Sequence, residues 1–215
     1  MSSRKFLTGI VISVLVITTL LLLAFSPSLL GFLGEIYLER ESYEAAIKAS
    51  SAAIRLKPDS ANLYKIRAES FKNTDYPVQA LEDINQAIFL YENDWAYHSL
   101  RGRINHDLGK LDEALDDYAQ SLALFPANPD TYFNRSLVYL DLMQYDEVIA
   151  DLNTVIELDP SYADAYFNRG ILYWGYSELD KAKIDLSRAV ELYRQLGLRS
   201  EEQTAQNTLE EINSK

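Results

Sequence analysis

The chain has 215 residues, with 20 Lys+Arg against 32 Asp+Glu, a formal net charge of −12 at pH 7, 48% apolar residues and no cysteine. The apolar share excludes a disordered chain, and the missing thiol excludes disulfides, thiolate metal sites and a cysteine nucleophile. An acidic surface repels phosphate backbones, so nucleic acid is not among the expected partners.

Arg4 and Lys5 precede an uncharged stretch, Phe6–Phe25, rich in Ile, Val and Leu. A helix of that length spans roughly 30 Å, the hydrocarbon thickness of a bilayer. Thr8, Ser13, Thr18 and Thr19 can return their hydroxyls to the helix backbone, so they do not forbid insertion. Residues 1–26 therefore read as a cytoplasmic tip and a transmembrane signal-anchor helix. The alternative is a cleaved secretory signal, whose apolar region runs to about 7–15 residues before a small-x-small site. Here the run is longer, and a cut after Ser26 places Pro27 just past the scissile bond. After the span the first charge is Glu35 and the first positive one Arg40. The positive-inside tendency thus expects a single-pass protein with a cytoplasmic N-terminus and the remainder extracytoplasmic.

Beyond the span the chain repeats itself. Arg67, Arg101, Arg135 and Arg169 recur every 34 residues, as do Asp83, Asp117, Asp151 and Asp185. Five units fit without insertion: 27–60, 61–94, 95–128, 129–162 and 163–196. Each reads as two helices. In the fourth, Tyr132, Arg135, Ser136 and Tyr139 recur at helical spacing, and so do Val148, Ile149, Leu152, Val155 and Ile156. A short break near Met143 separates them, Asp146 begins the second helix, and Asp159-Pro160 ends it. Gly102 and Gly170 at position eight, with Ala114 and Ala182 at position twenty, let two antiparallel helices approach closely. Tyr166, Tyr173 and Leu186 fill the space around that contact. A lone hairpin leaves half its apolar surface wet, whereas stacked hairpins bury it against neighbours.

With this period and these small residues, the chain resembles the tetratricopeptide repeat family over all five units. The last three carry the likeness best, as in Tyr166-Phe-Asn-Arg-Gly170 followed by Tyr173, Ala182 and Ala189. Glu92 and Arg194 stand where the family's Pro is expected, and Asn105 replaces the aromatic at position eleven of unit three. The resemblance implies an all-α fold: an α-solenoid whose concave groove binds peptides or helices of other proteins. Residues 197–215 read as its capping helix. Gly197 can end the last long helix, and Ser200 with Gln203 forms a capping-box pattern. Ala205, Leu209 and Ile212 make one apolar stripe among Glu201, Glu202, Glu210 and Glu211.

Arg at position seven and Asp at position twenty-three occur together in units two to five and are lost together in unit one, as Leu33 and Ala49. This covariation points to structural ion pairs, either within a unit (Arg135 with Asp151) or across units (Asp117 with Arg135), rather than to an anion site. The family's groove positions are the second, fifth, ninth and twelfth of each first helix. They offer Asn62, Lys65, Glu69 and Lys72, then Ala96, Ser99, Arg103 and His106. Asp130, Phe133, Leu137 and Leu140 follow, and last Asp164, Phe167, Ile171 and Trp174. Phe133, Leu137, Phe167, Ile171 and Trp174 form an expected exposed apolar strip, with Asn134 and Asn168 able to add backbone hydrogen bonds. The plain alternative packs some of them on one another or under the cap. A carboxylate clamp of the kind some family members use on chaperone tails lacks its Asn, since Glu69 and Leu100 stand in its place.

Catalytic chemistry finds no support. His98 sits at an aromatic core position, and Asp112, Glu113 and Asp116 suit a solvated helix face. Leu108-Gly-Lys110 lacks the rest of a phosphate loop. Asn134-Arg-Ser136 is formally a glycosylation acceptor, but Ser136 falls at the tight helix contact. The expectation is no enzyme, no cofactor, no metal and no small-molecule substrate. It is a membrane-anchored scaffold or adaptor holding a partner's peptide or helix. The alternative is a structural subunit or assembly factor of a membrane complex, with the span and Leu29, Leu30, Phe32 and Leu33 packed on partners.

Overall fold

A computed structural model describes residues 26–214. The expected span, Phe6–Phe25, lies outside the described residues, and among those described no helix is long and apolar enough to cross a membrane. In chain order the described residues form α1 (Pro27–Glu39), α2 (Tyr43–Leu56), α3 (Ala61–Lys72), α4 (Pro77–Leu90), α5 (Trp95–Asp107) and α6 (Leu111–Leu124). After these come α7 (Pro129–Asp141), α8 (Tyr145–Leu158), α9 (Ala163–Gly175), α10 (Leu179–Leu196) and α11 (Arg199–Ser214), with no strand among the described residues. The chain divides into two compact units, one ending at Ile104 within α5 and one starting at Asn105.

The turn inside each hairpin follows one backbone rule. Glu41, Asp75, Gly109, Met143 and Ser177, each fifteenth in its unit, have φ of 55°, 64°, 70°, 57° and 61°. That left-handed residue lets the next N–H reach back to the eleventh carbonyl: Ser42 to Tyr37 at 2.8 Å, Tyr76 to Phe71 at 2.9 Å, Gln144 to Tyr139 at 2.8 Å. Carbonyls stranded at the end of the first helix are thereby satisfied. Only one of the five positions is glycine, so this stop is hidden from a residue-type reading. It also starts α8 at Tyr145, one residue before the expected Asp146.

In the first unit α1 packs on α2, α3 on α4, and α3 on both helices before it. Ala46, Ala53, Leu63, Ile66, Ala80, Ile84 and Ala87 are buried between them. In the second unit α7 packs on α8 and α9 on α10. Gly170 marks a close approach of α9 and α10, because a Cβ there would lie 3.0 Å from Leu186 Cγ. Burying Leu152, Val155 and Leu186 completely removes each side chain from water, worth about 2 kcal/mol apiece.

α10 outlasts the other second helices and ends at Gly197, whose φ of 74° puts it in the left-handed region that glycine adopts freely. Leu198 N–H returns to Tyr193 O at 3.0 Å, and Leu198 O accepts from Glu202 N–H at 2.9 Å. Leu198 is therefore the boundary residue. The expected Ser200–Gln203 capping box does not form: both residues lie inside α11, and Gln203 Nε2 donates to Asn207 Oδ1 at 2.8 Å.

Candidate functional site

The arginines come first, because they decide whether the molecule carries an anion site. Arg67 donates from Nε and Nη2 to the two oxygens of Asp83 at 2.6 and 2.7 Å. Arg135 does so to Asp151 at 2.9 and 2.7 Å, and Arg169 to Asp185 at 2.7 and 2.8 Å. Each is a two-pronged pair within one repeat, joining its first helix to its second. Rings at positions four and eleven flank the guanidinium: Tyr64 and Phe71 lie 5.8 and 5.9 Å from Arg67, Tyr132 and Tyr139 5.3 and 5.7 Å from Arg135. The carboxylate hydrogen bonds outweigh burial and hold each of these arginines above its ordinary pKa.

A third bond is invisible in the sequence pattern. Nη1 of Arg67 donates to Ser51 Oγ at 3.1 Å, that of Arg101 to Asn85 Oδ1 at 3.1 Å, and that of Arg169 to Asn153 Oδ1 at 2.6 Å. All three acceptors occupy position twenty-five of the preceding repeat. Arg101 and Asp117 fall on opposite sides of the division between units. Within the second, buried Asp117 accepts from Asn105 Nδ2 at 2.8 Å. His98, buried in the first unit, holds Nε2 2.9 Å from Glu92 O. Two of the departures from the family pattern, Glu92 for Pro and His98 for an aromatic, thus meet each other.

Several polar groove residues are engaged by other side chains of the fold. Asn62 Nδ2 donates to Glu35 Oε1 at 2.7 Å, and Arg103 Nη1 lies 3.8 Å from Glu69 Oε1. In the second unit His106 Nε2 lies 2.8 Å from Asp141 Oδ2. Tyr162 donates to Asp130 at 3.1 Å and Tyr193 to Asp164 at 2.6 Å. Burial first, then these carboxylates, push both phenols up, so each remains a neutral donor.

The apolar row differs from the exposed strip expected. Phe133, Leu137, Phe167, Ile171 and Trp174 are all half-buried. Phe133 leans on Tyr162, with ring centroids 5.0 Å apart, beside the core of Val148, Leu152, Val155 and Ala165. Phe167, Ile171 and Trp174 pack with Leu209 and Ile212 of α11. The cap's apolar stripe takes part of their surface, which is the physical reason for the difference. Leu140 keeps 38% of its surface exposed. Asn134 Nδ2 is turned to Asp130 O of its own helix at 2.7 Å, and Asn168 is half-buried.

One feature escaped the sequence pattern altogether. Tyr145 and Tyr176, with rings edge to face at 6.4 Å, line a cleft of ≈ 370 Å³ together with Ile171, Leu172 and Gly175. Tyr176 in a hairpin turn and Tyr145 as the first residue of α8, places where polar residues are usual, were the available signal. Among the described residues no cluster of His, Asp or Glu could hold a metal ion.

Comparison with known proteins places this geometry. Models described as tetratricopeptide repeat match residues 27–60 and 163–196, and models described as TPR repeat match 102–142 and 138–175, together more than half of the chain. No curated protein sequence matches. Among solved structures, a thermophilic TPR protein of Thermus thermophilus is 19% identical with a TM-score of 0.69, covering 84% of this chain and 98% of its own. PilF of Pseudomonas aeruginosa is 17% identical with a TM-score of 0.68, covering 86% and 91%. The first TPR of Spaghetti (RPAP3), bound to the HSP90 peptide SRMEEVD, is 25% identical with a TM-score of 0.53, covering 55% and 96%. With its thirty-four-residue hairpins and these matches, the chain belongs to the tetratricopeptide repeat family.

Proposed function

We propose that the protein is a membrane-anchored scaffold that holds a segment of another protein against the first helices of its fourth and fifth repeats. The carrying observation is the contrast along the groove positions. Polar residues there, such as Asn62, Glu69, His106, Asp130 and Asp164, are held by other side chains of the fold, whereas Leu140 and the uncovered parts of Phe133, Leu137, Ile171 and Trp174 offer apolar surface to a partner. An amphipathic helix or an extended apolar peptide suits such a row. Peptide capture by the RPAP3 repeats supports this reading. Phe6–Phe25 supplies the anchor, with the repeats on the extracytoplasmic side. Photo-crosslinking from positions 137 and 140 in native membranes tests the groove. A discrete adduct is expected from both, and none from exposed position 110. The adduct from position 140 should be lost when Leu137→Glu is introduced beside it. Equal labelling from all three positions defeats the proposal.

A second reading is favoured by α1, where Leu29 and Phe32 keep 38% and 57% of their surface exposed directly after the apolar run. Here the protein is a fixed subunit or assembly factor, seated through α1 on a membrane partner.

A further inference from the structure

The cleft beneath Tyr145 and Tyr176 has a chemistry distinct from the apolar row it adjoins. Its lining is aliphatic at Ile171 and Leu172 and aromatic at two tyrosines that remain 38% and 48% exposed. Asp146 and Glu147 follow Tyr145 in the first turn of α8, both exposed to solvent. Partial desolvation, then Asp146, Tyr145 and Glu147, raise the Tyr176 phenol, which puts both carboxylates within electrostatic reach of the ring. Gly175 adds no side chain to the lining, and a Cβ there would meet nothing within 4 Å.

We propose that this cleft takes a lysine or arginine side chain of the bound partner. The aliphatic stem rests on Ile171 and Leu172, and the cationic head sits against the tyrosine rings beside Asp146 and Glu147. A cation is drawn to the face of an aromatic ring, and more strongly when carboxylates stand at the rim. The chain's net charge of −12 adds a long-range attraction of the same sign. A neutral apolar side chain fits the lining but gains nothing from the carboxylates, and an acidic one is repelled by them. The occupant is therefore a basic residue set in an apolar segment. This inference deepens the protein-binding reading by naming what the partner must carry next to its apolar anchor.

The test uses the full chain in phosphatidylcholine nanodiscs and fluorescence anisotropy with the labelled peptide Gly-Ser-Leu-Arg-Leu-Ser-Gly. Matched peptides carry Lys, Gln or Glu in place of Arg. The Arg and Lys peptides are expected to bind about ten-fold tighter than the Gln peptide, with the Glu peptide weakest. Asp146→Asn with Glu147→Gln should remove most of that preference and flatten its dependence on salt. Gly175→Leu adds a bulky side chain at the cleft lining where a Cβ meets no packed neighbour, so it should weaken binding while the circular-dichroism melting curve is kept. Equal binding of the Arg and Gln peptides, unchanged binding by Gly175→Leu, or no binding of any peptide overturns the proposal. Leu137→Glu separates the two readings. Peptide binding that survives it, with no adduct from positions 137 and 140, retains the cleft and removes the groove.

Discussion

The arginine at position seven sets the energetics of a repeat. Asp151 keeps only 5% of its surface in water and has both oxygens filled by Arg135. Arg135→Met removes the charge and both donors but leaves the carboxylate where it is. An uncompensated buried charge of this kind costs about 3 kcal/mol. Lys110 is exposed, and Lys110→Met should stay within about 0.5 kcal/mol. Urea unfolding followed by circular dichroism separates the two, and superimposable curves would refute a structural role for the pair. The partnership was legible because arginine and aspartate vanish together in unit one. The bond to the preceding repeat was not, because its acceptors are Ser51, Asn85 and Asn153, with Ala119 at the same place in unit three. A position that varies among hydroxyl, amide and methyl carries no residue-type signal, though its backbone location is constant.

Helices begin and end here by rules of unequal visibility. Proline stops such as Pro126 and Pro160 can be read directly, whereas the left-handed residue inside each hairpin is Glu, Asp, Gly, Met and Ser in turn. The cap shows the same division. Its apolar stripe of Ala205, Leu209 and Ile212 was plain in the sequence, but its first residue was not, because the turn at Gly197 assigns the boundary to Leu198. Nor does a stripe say which neighbours it covers, so the shading of Phe167, Ile171 and Trp174 had to come from the structure. Ile212 is 2% exposed and lies among Ala182, Leu186 and Trp174. Ile212→Ala should cost about 3 kcal/mol through lost transfer energy and the cavity left behind. In a repeat array that loss is felt by nearest neighbours, so it should be local. Hydrogen exchange is expected to quicken in α9, α10 and α11 while α3 and α4 keep their protection. Uniform acceleration across both units would contradict this.

At the scale of the molecule, charge and exposed apolar surface are distributed unequally. No charged residue lies between Lys5 and Glu35, although the chain as a whole carries −12. α1 therefore enters the fold with an uncharged first turn, burying Gly31 and Gly34 inward and leaving Leu29 and Phe32 outward. Position seven of the first repeat is Leu33 rather than Arg, in step with Ala49 in place of the aspartate of the later repeats. Two molecular roles compete for this surface. The proposed scaffold leaves this surface without a partner, whereas a fixed subunit needs it as a seat. Phe32→Ser distinguishes them, because a side chain 57% exposed contributes little to folding and the melting curve should shift by no more than about 0.5 kcal/mol. We expect crosslinking from positions 137 and 140 to persist in this variant, and the native-gel size of the assembly to stay unchanged. A size reduced to that of the chain alone, with the adducts retained, would make α1 the seat on a partner subunit. Loss of the adducts would move client binding itself from the fourth and fifth repeats to the first.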